Sequence, residues 1–271
     1  YDITLDNERI VLENKFKEEN GNFILDLNDF EEKLKQNPKL FILCNPHNPL
    51  GHVWSIEELK SMGNLCIKYN VPIVSDEIHA DLTLWGEKHI PMASVSEKIR
   101  QNTITCTSTG KAFNLAGMQS ATIVFNNLEE KGKFDKFWKD LEVHRNNPFN
   151  LVATMAAYSD EGEEYLNQLI KYIEGNIIYL NDFFKENIKE LKPNKPKATY
   201  LIWIDCRDFS KKHGFNQKQL EEFFIKNAKL GLNSCRVFNH GSSGFMRLNV
   251  ACPRSILEKA LNQLKDAVNN L

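Results

Sequence analysis

The amino-acid sequence predicts an α/β protein in which a large, mostly parallel sheet domain is followed by a smaller C-terminal α+β domain. Short apolar runs alternate with helical patterns from about Asp29 to Val124, as in βαβ units. A 3.6-residue apolar period then begins near Asp160 and runs through many turns. With 271 residues, 42% of them apolar, the chain is long enough for one large domain or two smaller ones.

The strands of the predicted sheet are separated by a helix with a clear start signal. KLFILCN (39–45) is typical of a buried strand, and Ser55 followed by Glu58 forms a capping box that opens a helix. Pro72 precedes the next strand, PIVSD, and TITCTS (103–108) and ATIVF (121–125) are two more strand candidates. Because ligands of open α/β sheets bind beyond the carboxyl ends of the strands, NPHNPLG, DEIH and STGK lie where chemistry is expected.

The C-terminal part of the sequence begins with the pattern of a long helix. Apolar residues keep a helical period at Leu166, Leu169, Ile170, Ile173, Ile177, Leu180, Phe184 and Ile188. Pro193 and Pro196 are expected to end this helix. ATYLIWID, a helix around Leu220 to Ala228, the strand FMRLNVA and a helix after Pro253 then form the α+β unit. We therefore divide the chain into residues 1–160, part of a large domain, and 161–271, a small domain with a bridging helix.

Composition excludes several classes of function. The net charge of −2 gives no general electrostatic reason to bind nucleic acid or an anionic membrane. No apolar run approaches the roughly 20 residues that span a bilayer, and the first residues do not resemble a signal peptide. The six cysteines are scattered without a CxxC pair, so neither a metal cluster nor a disulfide framework is predicted. Reduced thiols favour a cytoplasmic location.

Lys111 follows the strand TITCTS in the segment STGKAFNLAG. A lysine beyond a strand is usually a solvated surface charge. Here Ser108, three residues earlier, can offer a hydroxyl group to a phosphate while the amine reaches an aldehyde. An enclosed, cationic environment lowers the pKa of such an amine, as a Schiff-base lysine requires.

Asp76 ends the strand PIVSD, and His79 lies three residues further on. An acid at this position is often only a helix cap. Alternatively, the carboxylate of Asp76 pairs with the pyridinium nitrogen of pyridoxal phosphate (PLP) and keeps it protonated, so that the ring accepts electrons from a substrate carbanion. His79 would approach the same ring and hydrogen-bond its phenolic oxygen, and a purely structural histidine is the equal alternative.

Asn48 and Arg247 are the other two candidates. The prolines of NPHNPLG are explained by a rigid turn, but Asn48 between them is also a pre-oriented donor suited to the phenolic oxygen of the cofactor. Arg247 lies within the apolar strand FMRLNVA, where its charge needs a partner. That partner is either an acidic side chain in a structural ion pair or the α-carboxylate of a substrate. The strand alone favours the ion pair, whereas the other motifs favour the carboxylate.

The motifs NPHNPLG, SDEIH, STGK and FMRLN, in this order over essentially the whole chain, resemble the aspartate-aminotransferase-like superfamily of PLP enzymes with fold type I. The resemblance implies that Lys111 is the Schiff-base lysine, that Asp76 binds the pyridinium nitrogen, and that Asn48 binds the phenolic oxygen. It implies further that Ser108 binds the phosphate and Arg247 the substrate α-carboxylate. It predicts no metal site.

Within that superfamily, NPHNPLG, VSDEIHADL and GKAFNLAGMQSA are most similar to the MalY/PatB group of cystathionine β-lyases. His79 stands where many aminotransferases have tyrosine, and Gln119 where many have a phosphate-binding arginine. Both choices favour the lyase group. Gly110, where a second serine is usual, departs from the pattern and is expected to remove one phosphate contact.

The resemblance implies a PLP-dependent lyase that converts cystathionine or a related cysteine S-conjugate into a thiol, pyruvate and ammonia. One alternative is an aminotransferase of class I/II, and a second is a ligand-sensing regulatory domain. The family carries on the order of a hundred further residues before the part represented here. We therefore expect that the N-terminal part is missing and that PLP binding and activity of the chain alone are weak or absent. A small amino-acid substrate and a homodimer are expected, with no nucleic-acid or membrane partner.

Overall fold

The computed structural model describes residues 1–19, 22–142, 147–238 and 242–271. The strands are β1 (Lys17–Glu19), β2 (Asn22–Ile24), β3 (Phe41–Cys44), β4 (Ile73–Asp76), β5 (Thr103–Thr107), β6 (Thr122–Phe125), β7 (Lys192–Pro193), β8 (Leu201–Asp205), β9 (Asn233–Ser234) and β10 (Phe245–Asn249). The helices are α1 (Asp2–Asp6), α2 (Leu27–Leu34), α3 (Ile56–Lys68), α4 (Glu97–Gln101), α5 (Leu128–Asp140), α6 (Pro148–Ala157), α7 (Asp160–Asn187), α8 (Arg207–His213), α9 (Gln217–Glu222) and α10 (Arg254–Asn269).

The central sheet has the strand order β3-β4-β5-β6. β3, β4 and β5 are parallel, whereas β6 runs antiparallel to β5. The register places Cys44, Asp76 and Cys106 side by side across three strands. The predicted α/β fold with a mostly parallel sheet is confirmed, and the carboxyl ends of β3, β4 and β5 meet at one edge, as open α/β sheets require.

Helix α3 begins with the predicted capping box. The Ser55 hydroxyl oxygen accepts a hydrogen bond from the Glu58 backbone N–H at 3.2 Å, and the Glu58 carboxylate accepts one from the Ser55 N–H at 2.8 Å. These two bonds satisfy backbone donors that have no partner within the helix. Leu59, Met62 and Cys66 are buried on one face in a cluster with residues of β3 and β4. The helix therefore covers one face of the sheet.

Helix α7 is the predicted long helix, with 28 residues. It starts where the side-chain oxygen of Ser159 accepts a hydrogen bond from the Gly162 N–H at 3.2 Å. The expectation that Pro193 ends it is wrong, because the chain already leaves the helical conformation at Ile188, with φ −145° and ψ 72°. Ile173, Ile177 and other apolar residues on its inner face are buried in the C-terminal core.

The second sheet has the order β7-β8-β10-β9, and all its neighbouring strands are antiparallel. Trp203 of β8 is directly opposite Arg247 of β10. The helix predicted around Leu220 to Ala228 is divided in the structure: α9 is followed by a π-helical turn at Phe223–Asn227. The predicted α+β character of the C-terminal part is confirmed, and the antiparallel sheet places Arg247 on one of its two central strands.

The two parts of the chain are joined by backbone contacts around residues 194–199. The Gly51 carbonyl oxygen accepts hydrogen bonds from Lys197 N–H at 2.8 Å and Ala198 N–H at 3.0 Å. The C-terminal core also includes Leu82 and Leu84 from the first part of the chain. The division of the chain near Asp160 stays a prediction, since apolar packing is continuous across that point.

The remaining expectations from composition concern membranes and cysteines. Among the described helices, none combines the length and the apolar character needed to cross a membrane. All six cysteines are free thiols. No group of three or more histidine, cysteine or acidic side chains in the described part of the chain is arranged to hold a metal ion.

Candidate active site

Asp76 is the last residue of β4 and is half-buried at the carboxyl edge of the sheet. Its Oδ1 accepts a hydrogen bond of 3.3 Å from the Ile78 N–H. Burial raises the pKa of this carboxyl group, while the Ile78 bond and the positive charge of Lys111 act in the opposite direction. A cationic ligand that hydrogen-bonds to such a partly desolvated carboxylate stabilises its charged form.

Lys111 lies in the turn that follows β5. Its side chain is exposed, and no carboxylate of the described residues lies within ion-pairing distance of its amine. The amine is nevertheless near enough to Asp76 and His79 to alter the pKa of both. The turn after β5 and the end of β4 therefore bring an amine and an acid to one site, as we expected from the sequence.

His79 is buried, with 4% of its surface exposed, in the turn after β4. Burial, reinforced by the charges of Lys111 and Arg247, lowers the pKa of its imidazole to about 4. The ring is therefore neutral at pH 7, and its buried Nδ1 has no hydrogen-bond partner among the described residues. A buried polar atom without a partner is costly unless a ligand supplies one.

Asn48 and Arg247 are 199 residues apart in the sequence, and their side chains are hydrogen-bonded. Arg247 Nη1 donates to Asn48 Oδ1 at 2.9 Å. Because a guanidinium group can only donate, this bond fixes which end of the Asn48 amide is the oxygen. The NH₂ group of Asn48 is consequently directed away from Arg247 and remains a donor for an anionic ligand.

Arg247 lies on β10 and is held by uncharged groups. Its Nη2 donates to Asn233 Oδ1 at 2.8 Å, and its guanidinium lies over the Phe238 ring at 4.6 Å. Within residues 1–19, 22–142, 147–238 and 242–271, no carboxylate forms an ion pair with it. The structural ion pair that we considered for Arg247 is therefore absent from these ranges. Burial lowers the pKa of Arg247, and its buried Nε has no hydrogen-bond partner among the described residues.

Ser108 follows β5, and its hydroxyl group has partners within the chain. The hydroxyl donates to the Ser120 carbonyl oxygen at 2.6 Å and accepts from the Gly110 N–H at 3.0 Å. To donate to a phosphate, the hydroxyl has to rotate away from Ser120. A Cβ atom on Gly110 would lie 3.0 Å from Ser108 Oγ, so glycine at this position allows the close turn between them.

Two residues near the site were not identified from the sequence. Tyr200, just before β8, is half-buried, and its ring centroid lies 6.2 Å from that of His79. Glu77 is 3% exposed and accepts hydrogen bonds from Ser75 Oγ at 2.7 Å and Met92 N–H at 3.0 Å. Its other oxygen pairs with His89 Nε2 at 2.8 Å. Tyr200, in the segment ATYLIWID, reaches the site only through tertiary packing, whereas Glu77 directly follows Asp76 in the segment DEIH.

Comparison with known proteins assigns the chain to a family. The sequence profile of the family "Aminotransferase class I and II" matches residues 11–264. The chain is 38% identical to cystathionine beta-lyase PatB of Bacillus subtilis (strain 168), covering 99% of this chain and 68% of PatB. It is 31% identical to the protein MalY of Escherichia coli (strain K12), covering 97% of this chain and 66% of MalY.

Solved structures give the same relationship. A PLP-bound protein of Clostridium difficile 630, provisionally named an aminotransferase, superimposes with a TM-score of 0.94 at 44% identity, covering 99% of this chain and 68% of that one. The PLP-bound C-S lyase of Staphylococcus hominis has a TM-score of 0.89 at 35% identity, covering 98% and 68%. The chain thus spans about two thirds of the length of these relatives. It has fold type I and belongs to the PLP-dependent class I and II aminotransferase family, in the group of PatB- and MalY-type C-S lyases.

Proposed function

We propose that this chain carries the PLP-binding and substrate-binding residues of a C-S β-lyase. Lys111 would hold the aldehyde carbon of the cofactor covalently, and Asp76 its ring nitrogen. Asn48 and His79 would donate to or lie beside the phenolic oxygen, and Ser108 would contact the phosphate. The observation that carries the proposal is the joint position of Asp76, Lys111 and His79 at the carboxyl ends of the paired strands β4 and β5, where the charge of Lys111 acts on the carboxyl group of Asp76 and on the imidazole of His79.

The polar groups of the site suit this cofactor. Asp76 is a half-buried carboxylate that accepts a hydrogen bond from a backbone N–H. Because burial disfavours its charged form, a protonated ring nitrogen beside it would stabilise that form. The NH₂ group of Asn48 and the unpartnered Nδ1 of His79 are available for an oxygen of the ligand. Ser108 suits the phosphate less well, because its proton is already donated to Ser120.

The substrate would be an amino acid with a sulfur leaving group on Cβ. Arg247 would bind its α-carboxylate, because the guanidinium charge has no acidic partner in the described part of the chain and is partly desolvated. When bound, PLP supplies an electron sink for the carbanion that forms at Cα. Once the substrate amine has taken the place of Lys111 on the cofactor, the freed Lys111 Nζ would take the Cα proton. A thiolate would then leave from Cβ, and one water molecule would hydrolyse the remaining three-carbon fragment to pyruvate and ammonia.

An aminotransferase is the second candidate. The family profile and the provisional name of the Clostridium difficile relative favour it. The same residues would bind cofactor and substrate, but the amino group would pass to a 2-oxo acid. Homodimer formation and a cytoplasmic location remain predictions, as does the weak or absent activity of the chain by itself.

Two incubations distinguish these candidates. The PLP-loaded protein is given cystathionine in one and an amino acid with 2-oxoglutarate in the other. Pyruvate from cystathionine supports the lyase, and glutamate supports the aminotransferase. Lys111→Ala should abolish both reactions, whereas Lys259→Ala, at an exposed position of α10, should leave them unchanged. Pyruvate release that survives Lys111→Ala would refute the role given to this amine.

A further inference from the structure

Arg247 differs from two other arginines of the C-terminal part in the kind of group that holds it. Arg207 donates to the carboxylates of Asp205 and Glu18, at 2.7 Å and 2.6 Å from its Nη2, and Arg236 donates to Glu221 at 2.5 Å. Arg247 instead has two side-chain amides and one aromatic ring as partners. The charges of Arg207 and Arg236 are neutralised locally, but no acidic side chain in the described ranges neutralises that of Arg247.

The uncharged partners of Arg247 determine its orientation. Nη1 and Nη2 each donate to one amide oxygen, at 2.9 Å on Asn48 and 2.8 Å on Asn233. These two bonds leave one N–H on each of the two terminal nitrogens, and a planar guanidinium points such hydrogens along fixed directions. A ligand carboxylate therefore meets a fork that is already oriented and still carries its full charge.

The ring of Phe238 covers one face of this fork and is itself supported from behind. Its centroid lies 5.6 Å from that of Trp203, with the two planes at 86°. Trp203 is buried and stacks on Phe245 at 5.5 Å with an interplanar angle of 9°. Because the Phe238 ring is supported by other rings, it excludes water from one face of the guanidinium group. This exclusion strengthens the electrostatic attraction between the guanidinium group and a carboxylate bound at its open side.

We propose that Asn233 and Phe238 are positioning residues that set the affinity for the substrate α-carboxylate by holding Arg247 through uncharged groups. This inference rests on the proposed function, in which Arg247 receives that carboxylate. It adds to that function a role for Asn233 and Phe238, which hold the guanidinium group of Arg247 without neutralising its charge. An amide accepts one hydrogen bond from Nη2 without adding a negative charge, whereas a carboxylate in the same place would compete with the ligand.

Asn233→Asp tests this directly, because aspartate has nearly the same shape and keeps an acceptor for Nη2. The probe is L-alanine, titrated into the protein while the Nε–Hε signal of Arg247 is followed by ¹⁵N NMR, with alaninol as the matched compound that lacks a carboxylate. We expect Asn233→Asp to weaken the binding of L-alanine at least tenfold and Phe238→Leu to weaken it about fivefold. Asn64→Asp, an equal change of charge at an exposed position of α3, should change it less than about twofold.

Each outcome decides between the possible roles. If Asn233 only supports the fold, Asn233→Asp preserves its hydrogen bond and L-alanine binds as it does to the unchanged protein, which overturns the inference while Arg247 remains a carboxylate receptor. If the Arg247 signal of the unchanged protein does not respond to L-alanine, both the inference and the role of Arg247 in the proposed function fail. Should Asn233→Asp not fold, Phe238→Leu decides, and unaltered binding in that variant also overturns the inference.

Discussion

Gly51 is the position where we expect a single methyl group to have the largest effect on stability. It has a left-handed backbone conformation with φ +63° and is buried at the joint between the two parts of the chain. A Cβ atom there would lie 2.3 Å from Pro196 Cβ and 2.6 Å from the Ala198 carbonyl oxygen. Neither neighbour is the flexible end of a side chain, so the segment around residue 197 has to move in Gly51→Ala.

The magnitude follows from three contributions. A left-handed conformation costs a residue with a Cβ atom about 1–2 kcal/mol. Displacing the segment weakens the two hydrogen bonds that the Gly51 oxygen accepts, at about 1 kcal/mol each, and overpacking adds about 1–3 kcal/mol. Since these contributions are not fully additive, we expect Gly51→Ala to lower the free energy of unfolding by about 3–5 kcal/mol.

Gly86→Ala is the matched control. Gly86 also has a positive φ, +77°, but a Cβ atom there would have nothing within 4 Å. This variant measures the conformational cost alone, and we expect a loss of about 1–2 kcal/mol. Equilibrium urea denaturation, followed by far-UV circular dichroism, gives both values. Equal losses in the two variants would show that the contact between residue 51 and the 196–198 segment does not contribute, and would refute the reasoning.

Three further predictions concern buried or capping groups. Burial lowers the pKa of His79 and His47 to about 4 in the folded protein, below the unfolded value of about 6.5. The unfolded state therefore binds more protons, and the free energy of unfolding falls as the pH decreases from about 6.5 to 4. At pH 5 each histidine should account for a loss of about 2 kcal/mol, and urea midpoints that do not change between pH 7 and 5 would contradict this. Glu77→Ala leaves the buried donors around this carboxylate without an acceptor and should lower the free energy of unfolding by about 3–5 kcal/mol in the same assay. A loss below about 1 kcal/mol would refute a structural role for Glu77. Ser55→Ala removes one half of a capping box and should cost about 1 kcal/mol, and an unchanged thermal midpoint would contradict it.

Several elements could be predicted because their signals are local. The strand around Phe41–Cys44 and the helix that begins after Ser55 follow from apolar runs, a capping box and proline positions within a few residues. The direction of β6 could not be predicted, since a short apolar run has the same pattern in a parallel or an antiparallel position. The end of α7 was misplaced, because the chain leaves the helix at Ile188 before either proline.

The sequence by itself determined the fold class and the chemical groups of the candidate site. Asp76 and Lys111 were recognised because one ends a strand of a parallel sheet and the other lies in the turn after the next strand, and the carboxyl ends of such strands meet at one edge. Their roles toward the cofactor and substrate remain proposals.

Only the tertiary structure decided what surrounds Arg247. Asn48 is 199 residues away, and Asn233, Phe238 and Tyr200 reach the site through the packing of antiparallel strands. Whether an arginine in an apolar strand is paired with an acid or held by amides depends on these distant neighbours, and no local pattern of residues encodes them.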